Sequence, residues 1–237
     1  MTIKDMHYDF KMKLNKIDSQ QYKNLSIPQI DWLLNESCEI FIKNIIEPRL
    51  SKKTGFEYNQ RTIEDVRNLV EEDVDCVINN NTNTVILPEN YWFWLRGNMY
   101  VSTANCSDIK LKVLVKQHDD DFENSRFDNS SVEWREMNVL FFKDGLKFNS
   151  IDNVIFNKFK MSYIRKLQYI HNAEDFGNNH RYILPDGVTI LQNTQDCELL
   201  PHTHREIVDI AVYLATAQLS IPDLQTKLNK LKINELN

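Results

Sequence analysis

From Thr84 to Leu95 the chain reads Thr84-Val85-Ile86-Leu87-Pro88-Glu89-Asn90-Tyr91-Trp92-Phe93-Trp94-Leu95. A β-branched run, a stop at Pro88 and an aromatic run have the texture of strand, turn and strand. The same texture continues to about Gln195. Lys110 to Val115 alternates apolar with basic residues. Phe141 and Phe142, the turn Asp144-Gly145, then Leu146 and Phe148 predict a hairpin, because Asp-Gly supplies the positive dihedrals of a tight turn. Met161 to Ile170 is long enough for a central strand, and Tyr182-Ile183-Leu184, Pro185-Asp186-Gly187 and Val188 to Leu191 repeat the hairpin pattern.

Both flanks carry helical signals. Ser26 and Pro28 open a helix in which Ile30, Leu34, Cys38, Phe41 and Ile45 recur at helical spacing before Glu47-Pro48. Thr62 with Asp65 starts a shorter helix through Val66, Leu69 and Val70. Its acidic end, Glu71-Glu72-Asp73, stands at the wrong terminus for the helix dipole and is expected to face solvent or a basic partner. Thr203 followed by Glu206 has capping-box spacing and predicts a helix from Thr203 to about Leu219, stopped by Pro222. Ile207, Ile210, Ala211 and Leu214 form one stripe of it and Val208, Val212, Ala215 and Leu219 another. Such a helix needs cover on most sides. At the start of the chain Tyr8, Phe10, Met12 and Leu14 alternate with Asp9, Lys11 and Lys13, which predicts a half-buried strand. It either pairs within its own fold or adds to a neighbour's sheet.

The resulting class is α+β, a β-rich, sheet or sandwich-like middle flanked by N- and C-terminal helices. Residues 1–82 hold the N-terminal strand and helices, 83–200 the β-rich body, and 201–237 a C-terminal helix and tail that pack with the N-terminal helices as one lobe.

At 237 residues and 42% hydrophobic content, the chain can bury a sizeable core. No apolar run reaches membrane-span length and the opening lacks a signal core, so a cytoplasmic birthplace without membrane insertion is expected. A net charge of −6 gives no global attraction for nucleic acid. Cys38, Cys76, Cys106 and Cys197 are far apart and read as buried, reduced thiols.

Chemistry is thinly signalled. Cys197 with His202 and His204 offers soft and imidazole ligands, but at a helix start residues two apart diverge and a fourth ligand is missing. The run His118-Asp119-Asp120-Asp121 with Glu123 lacks the Gly-centred spacing of a calcium loop, and reads as a solvated loop or a contact for a basic neighbour. Trp92 and Trp94 might stack on a base or sugar, but aromatic strand clusters more often serve core or interface. Phosphate-loop and nucleophile-elbow motifs are missing. The expectation is therefore no catalytic residue, no metal and no cofactor.

Several fragments together suggest a family. They are Tyr8-Asp9-Phe10-Lys11, Pro28 to Glu36, Leu87-Pro88-Glu89-Asn90-Tyr91, Trp134-Arg135-Glu136, Tyr163-Ile164-Arg165, Cys197-Glu198-Leu199 and His204 to Ala211. In these the chain resembles the head-to-tail connector proteins, the adaptor or ring proteins, of short-tailed bacteriophages, in particular those of crAss-like phages. The resemblance implies a structural virion protein, assembled in the bacterial cytoplasm as a homo-oligomeric ring, by analogy a dodecamer. Its implied partners are the portal and other connector or tail proteins, with DNA passing transiently and without specific contact through the ring. Two alternatives stand beside it: a small metal-dependent hydrolase built on His202 and His204, and a peripheral tail-fibre or receptor-binding module.

Candidate subunit-contact residues follow from segments without a partner nearby in sequence. Tyr8, Phe10, Met12 and Leu14 present the strand face, and Leu224, Leu228 and Leu231 form a narrow stripe beside Lys227, Lys230 and Lys232. Asp119, Asp120 and Asp121 of another copy are the candidate acidic complement to that basic flank.

Overall fold

The computed structural model describes residues 1–15, 25–46, 64–116, 129–143, 145–149, 154–175, 178–179, 182–184, 190–191 and 193–218. They divide into two units. One combines Met1–Asn68 with Leu167–Asn237, and the other is Leu69–Lys166.

The second unit is an eight-stranded sheet formed by β1 (Val70–Cys76), β2 (Ile78–Asn79), β3 (Thr84–Ile86), β4 (Tyr91–Ser102), β5 (Ile109–Lys116), β6 (Glu136–Phe142), β7 (Gly145–Phe148) and β8 (Ile155–Arg165). Their spatial order is β1-β8-β4-β5-β6-β7-β3-β2. Val77 alone separates β1 from β2, yet these strands stand at opposite ends of that order. A flat sheet of this size would hold its end strands about 34 Å apart, a gap that one linking residue spanning about 7 Å cannot bridge. The sheet therefore curls until its ends approach. Every pairing in it is antiparallel except β5 with β6.

Period-two alternation fills the interior of this curl. Met99 and Val101 of β4, Leu111 and Val113 of β5, Met137 and Val139 of β6, Leu146 and Phe148 of β7, and Phe159, Met161 and Tyr163 of β8 are all buried in one cluster. Trp94 packs against it, its ring 6.0 Å from that of Phe141 and 6.4 Å from that of Phe159. That aromatic belongs largely to the core rather than to a stacking platform.

Three sequence expectations change in this unit. Glu71, Glu72 and Asp73 lie in β1, not at a helix end; residues 64–66 are α-helical and Arg67–Leu69 form a 3₁₀ turn, while Thr62 lies outside the described residues. The helix does not reach Val70, because the β-sheet claims the chain there by pairing it with Ile164. The long strand runs over 155–165 rather than 161–170, and is flanked by β1 and β4. Gly145 pairs with Phe142 and is required by close approach rather than by a positive dihedral: a Cβ there would lie 2.1 Å from the Val85 carbonyl oxygen.

Bulges in β1 and β4 meet at Ser162 of β8. Asp73 adopts a left-handed φ of 50°, and its amide donates to the Ser162 hydroxyl at 3.1 Å. Arg96 Nε donates to the same hydroxyl at 3.1 Å. A bulge leaves ladder groups without a strand partner, and here a buried serine supplies one.

The first unit contains α1 (Ile3–Asn15), α2 (Ile27–Ile46) and α3 (His204–Gln218), with the short antiparallel pairs β9 (Glu174–Asp175) with β10 (Asn178–Asn179) and β11 (Tyr182–Ile183) with β12 (Ile190–Leu191). The α+β class with a β-rich middle and helices from both chain ends is what the structure shows. Helix α3 packs on both α1 and α2. The expected strand over residues 8–14 is instead part of α1. In that window Phe10 and Leu14 satisfy both period two and i, i+4 spacing, but Ile3, Met6, Phe10 and Leu14 together fit only a helix, and all four are buried. A reciprocal cap fixes its start: Thr2 N donates to Asp5 Oδ2 at 2.9 Å and Asp5 N to Thr2 Oγ1 at 3.3 Å. The Asp196 carboxylate then accepts from Ile3 N at 2.7 Å, placing negative charge at the helix N-terminus.

Lys13 ties α1 to α3, its ammonium 2.9 Å from Asp9 and 2.8 Å from Asp209. Burial alone would push its pKa down, but bonds to Asp209 and Asp9 outweigh that and hold it above lysine's ordinary 10.5. Because the folded value is the higher one, this contribution is complete below the ordinary value and is lost as pH rises through the raised one. Lys13→Met is expected to cost less than about 1 kcal/mol at neutral pH, since the pair is partly solvated. In urea titrations that deficit should persist through mildly alkaline pH and close only in strong base.

Candidate functional site: the faces and buried clusters of the helical unit

Helix α1 separates the expected contact residues into two sets. Phe10 and Leu14 point into the unit, with 0% and 4% exposure, so their assignment as contact residues is withdrawn. Tyr8 and Met12, one turn apart on the other side, are 68% and 54% exposed. Trp32 of α2 is also exposed, at 49%. Asp119, Asp120, Asp121, Leu224, Leu228 and Leu231 lie outside the described residues.

Beneath α1 is a polar cluster that was not singled out in the sequence. Asp31 of α2 is wholly buried, and its Oδ1 lies 2.7 Å from His7 Nε2. Its Oδ2 accepts from the Tyr182 hydroxyl at 2.9 Å and from Asn172 N at 3.3 Å. Burial, reinforced by the adjacent Asp31 charge and by Tyr169, pushes the Tyr182 phenol far above its ordinary range. Tyr182 is therefore a fixed neutral donor. His7 Nδ1 is buried without a hydrogen-bond partner. A carboxylate behind an imidazole is an arrangement that orients a base, but such a base works only with a nucleophile or substrate on its free nitrogen. What this cluster visibly does is join α1, α2, the segment at Asn172 and β11.

The histidines read as possible metal ligands part company. His202 Nε2 lies 2.6 Å from Asp65 Oδ1, with its side chain 53% exposed. His204 is buried, and its Nε2 is 2.8 Å from the Leu199 carbonyl oxygen. Each imidazole thus serves a different neighbour. Among the described residues no three His, Cys, Asp or Glu side chains are disposed to hold a metal ion.

Cys197 does have company, from a residue far away in sequence. Cys197 is buried, and Cys38 of α2 and His204 are the side chains that act on its thiol electrostatically. Interaction with Cys38, with help from His204 and the Leu199 backbone, holds the Cys197 pKa below the usual thiol range against the opposing effect of burial. The same interaction, with burial, pushes Cys38 up. Burial disfavours a proton on His204, but Cys197 and the Leu199 carbonyl outweigh it and raise that imidazole. The reading of buried, reduced thiols fits Cys38 and Cys197, at 1% and 8% exposure, and all four cysteines are free. Burial does not extend to Cys76, which is half-buried, or to Cys106, which is exposed.

Neither a known family model nor a curated protein sequence matches this chain. Among the described residues no helix is long and apolar enough to cross a membrane.

Proposed function

We propose that this protein is a structural component of a short-tailed phage particle, forming a homo-oligomeric ring in the head-to-tail connector below the portal. The observation that carries the reading within the structure is the outer face of α1. Ile3, Met6, Phe10 and Leu14 already complete the inward face, yet Tyr8 and Met12 remain in solvent one turn apart. An aromatic and a thioether side chain so placed suit a heterologous contact, in which each copy inserts them into the next and the ring closes. The fragment resemblance running from Tyr8 to Ala211 supports the same reading. Net negative charge suits a channel that must let DNA slide rather than hold it. On this reading the protein carries no catalytic centre and no cofactor, and its partners are its own copies, the portal and neighbouring tail proteins. Its place is the virion.

The separate engagement of His202 and His204 weighs against the hydrolase alternative, because the pair is not aimed at a shared ligand. Tyr8→Glu combined with Met12→Glu is expected to weaken self-association at least about tenfold, since each charge would have to be buried in the contact. Circular dichroism and urea midpoint should hardly move, because both side chains are exposed in the single subunit. Sedimentation velocity reads the result. Self-association equal to that of the parent protein would remove α1 from the contact.

A further inference from the structure

Strand register gathers four lysines on one face of the sheet. Across β8, β4 and β5, Lys160 stands opposite Asn98 and Asn98 opposite Lys112; two residues further along β4, Lys158 stands opposite Tyr100 and Tyr100 opposite Lys110. Between these rows Phe159, Met99 and Leu111 are also in register, and all three are buried in the core. The six flanking residues therefore share the outer face. Lys110, Lys112 and Lys158 are exposed, while Lys160, Asn98 and Tyr100 are half-buried. The result is two basic rails about 10 Å apart, with lysines about 7 Å apart along each, and a neutral floor between them. Lys158 meets Asp75 of β1 at 2.8 Å, whereas Lys110, Lys112 and Lys160 have no ion partner among the described residues. Carboxylates stand outside the rails: Asp75 is opposite Lys160, and Glu136 of β6 is opposite Lys112.

We infer that this face binds single-stranded nucleic acid without regard to sequence, the strand lying along β4 with its phosphates on the lysine rails and a base stacked on Tyr100. A basic track with an aromatic floor is the combination that sequence-tolerant strand binding uses. Four cations so close together repel one another even in a chain of net charge −6, and a polyanion laid between them removes that repulsion. Width selects the single strand over the duplex. Asp75 and Glu136 are four strand spacings apart, about 19 Å along the sheet, and a duplex over the rails brings its outer phosphates toward those carboxylates. A narrow strand stays inside them. An acidic peptide satisfies the lysines alike but leaves Tyr100 unused. Binding on this face does not depend on ring formation through α1.

The test is fluorescence anisotropy of the full chain with a labelled oligothymidylate of about 20 nucleotides, long enough to cover one such track. Affinity should fall with salt at a logarithmic slope of about −3, the value for four lysine contacts to a single strand. A duplex of the same length and a polyglutamate chain should each bind at least about tenfold more weakly. Joint replacement Lys110→Gln, Lys112→Gln and Lys160→Gln should reduce the size of the slope by about 2. Tyr100→Leu should weaken binding at least about fivefold and leave the slope as it was. Absence of binding at low salt would overturn the inference, as would equal binding of duplex or polyglutamate, or a slope unmoved by the triple replacement. Circular dichroism checks each variant; if Tyr100→Leu fails to fold, the lysine variant and the comparison of probes still decide. Sedimentation velocity of the same samples keeps ring formation separate, since a monomer that binds the oligonucleotide contradicts the ring alone, and a ring that does not bind it contradicts this face alone.

Discussion

Asp31→Ala is expected to destabilise the helical unit by about 3–5 kcal/mol, the range seen when one member of a buried charged network is removed. The carboxylate meets His7 Nε2 and accepts from the Tyr182 hydroxyl and Asn172 N, and the residue is 0% exposed. Alanine leaves all three groups facing an apolar gap that water does not readily enter. Each buried polar group so abandoned costs about 1–3 kcal/mol, with relaxation of Tyr182 recovering part of it. Asp31→Asn should fall between the parent and alanine, since its amide oxygen keeps one acceptor of the same shape. Urea denaturation followed by far-ultraviolet circular dichroism measures the loss. A cost below about 1 kcal/mol for alanine would mean that solvent already satisfies the network.

Gly145→Ala should cost about 1–3 kcal/mol or more, by forcing β7 away from β3. The added Cβ would sit 2.1 Å from the Val85 carbonyl oxygen, and a backbone carbonyl, unlike a long side chain, cannot swing aside. Val85 pairs with Leu146, and both are fully buried in the cluster that fills the curled sheet. A shift of one strand therefore disturbs the core on its inner side. Near-ultraviolet circular dichroism should lose intensity, because Trp94 and Phe141 pack over the same region. An unchanged unfolding midpoint would show that the two strands separate without penalty.

Of the two large effects, Gly145 falls in a hairpin that the sequence marks, and Asp31 falls where sequence patterns say least. Alternation made β5 legible, and Phe141 to Phe148 made the β6–β7 hairpin legible, because Leu111 and Val113 are buried beside exposed Lys110 and Lys112, and Leu146 and Phe148 are buried on either side of Lys147. Helix α2 was visible through Ile30, Leu34, Cys38 and Phe41. Its most informative residue was nevertheless Asp31, a carboxylate that helical spacing puts beside Ile27 and Leu34 on the buried side. A charge there demands a partner, but the partners come from α1 and from residues 172 and 182, and no local pattern reports such distant pairing.

Helix α1 was misread because seven residues, 8 to 14, suit two periods; the decision lay upstream, in Ile3, Met6 and the Thr2–Asp5 cap. The short helix expected from Thr62 is present at residues 64–66 but stops before Val70, and Thr62 itself lies outside the described residues. Asp65 binds His202 from within those helical residues, and pairing with β8 overrides helical propensity from Val70 onward. Cys38 and Cys197 were seen singly, since spacing along the chain says nothing about an electrostatic interaction between residues so far apart in sequence. Tyr8 and Met12 remained as contact candidates despite the change from strand to helix, because both geometries place residues four apart on one side.

The central claim is a closed ring of identical copies, and electron microscopy of the full-length protein at high concentration, with native mass measurement of the same sample, tests it most directly. The account predicts class averages with an axial opening and cyclic symmetry, twelvefold by the resemblance to portal-bound adaptors, and a mass at the matching multiple of 28.1 kDa. A monomer at every concentration, or an elongated trimer without a central opening, would contradict it.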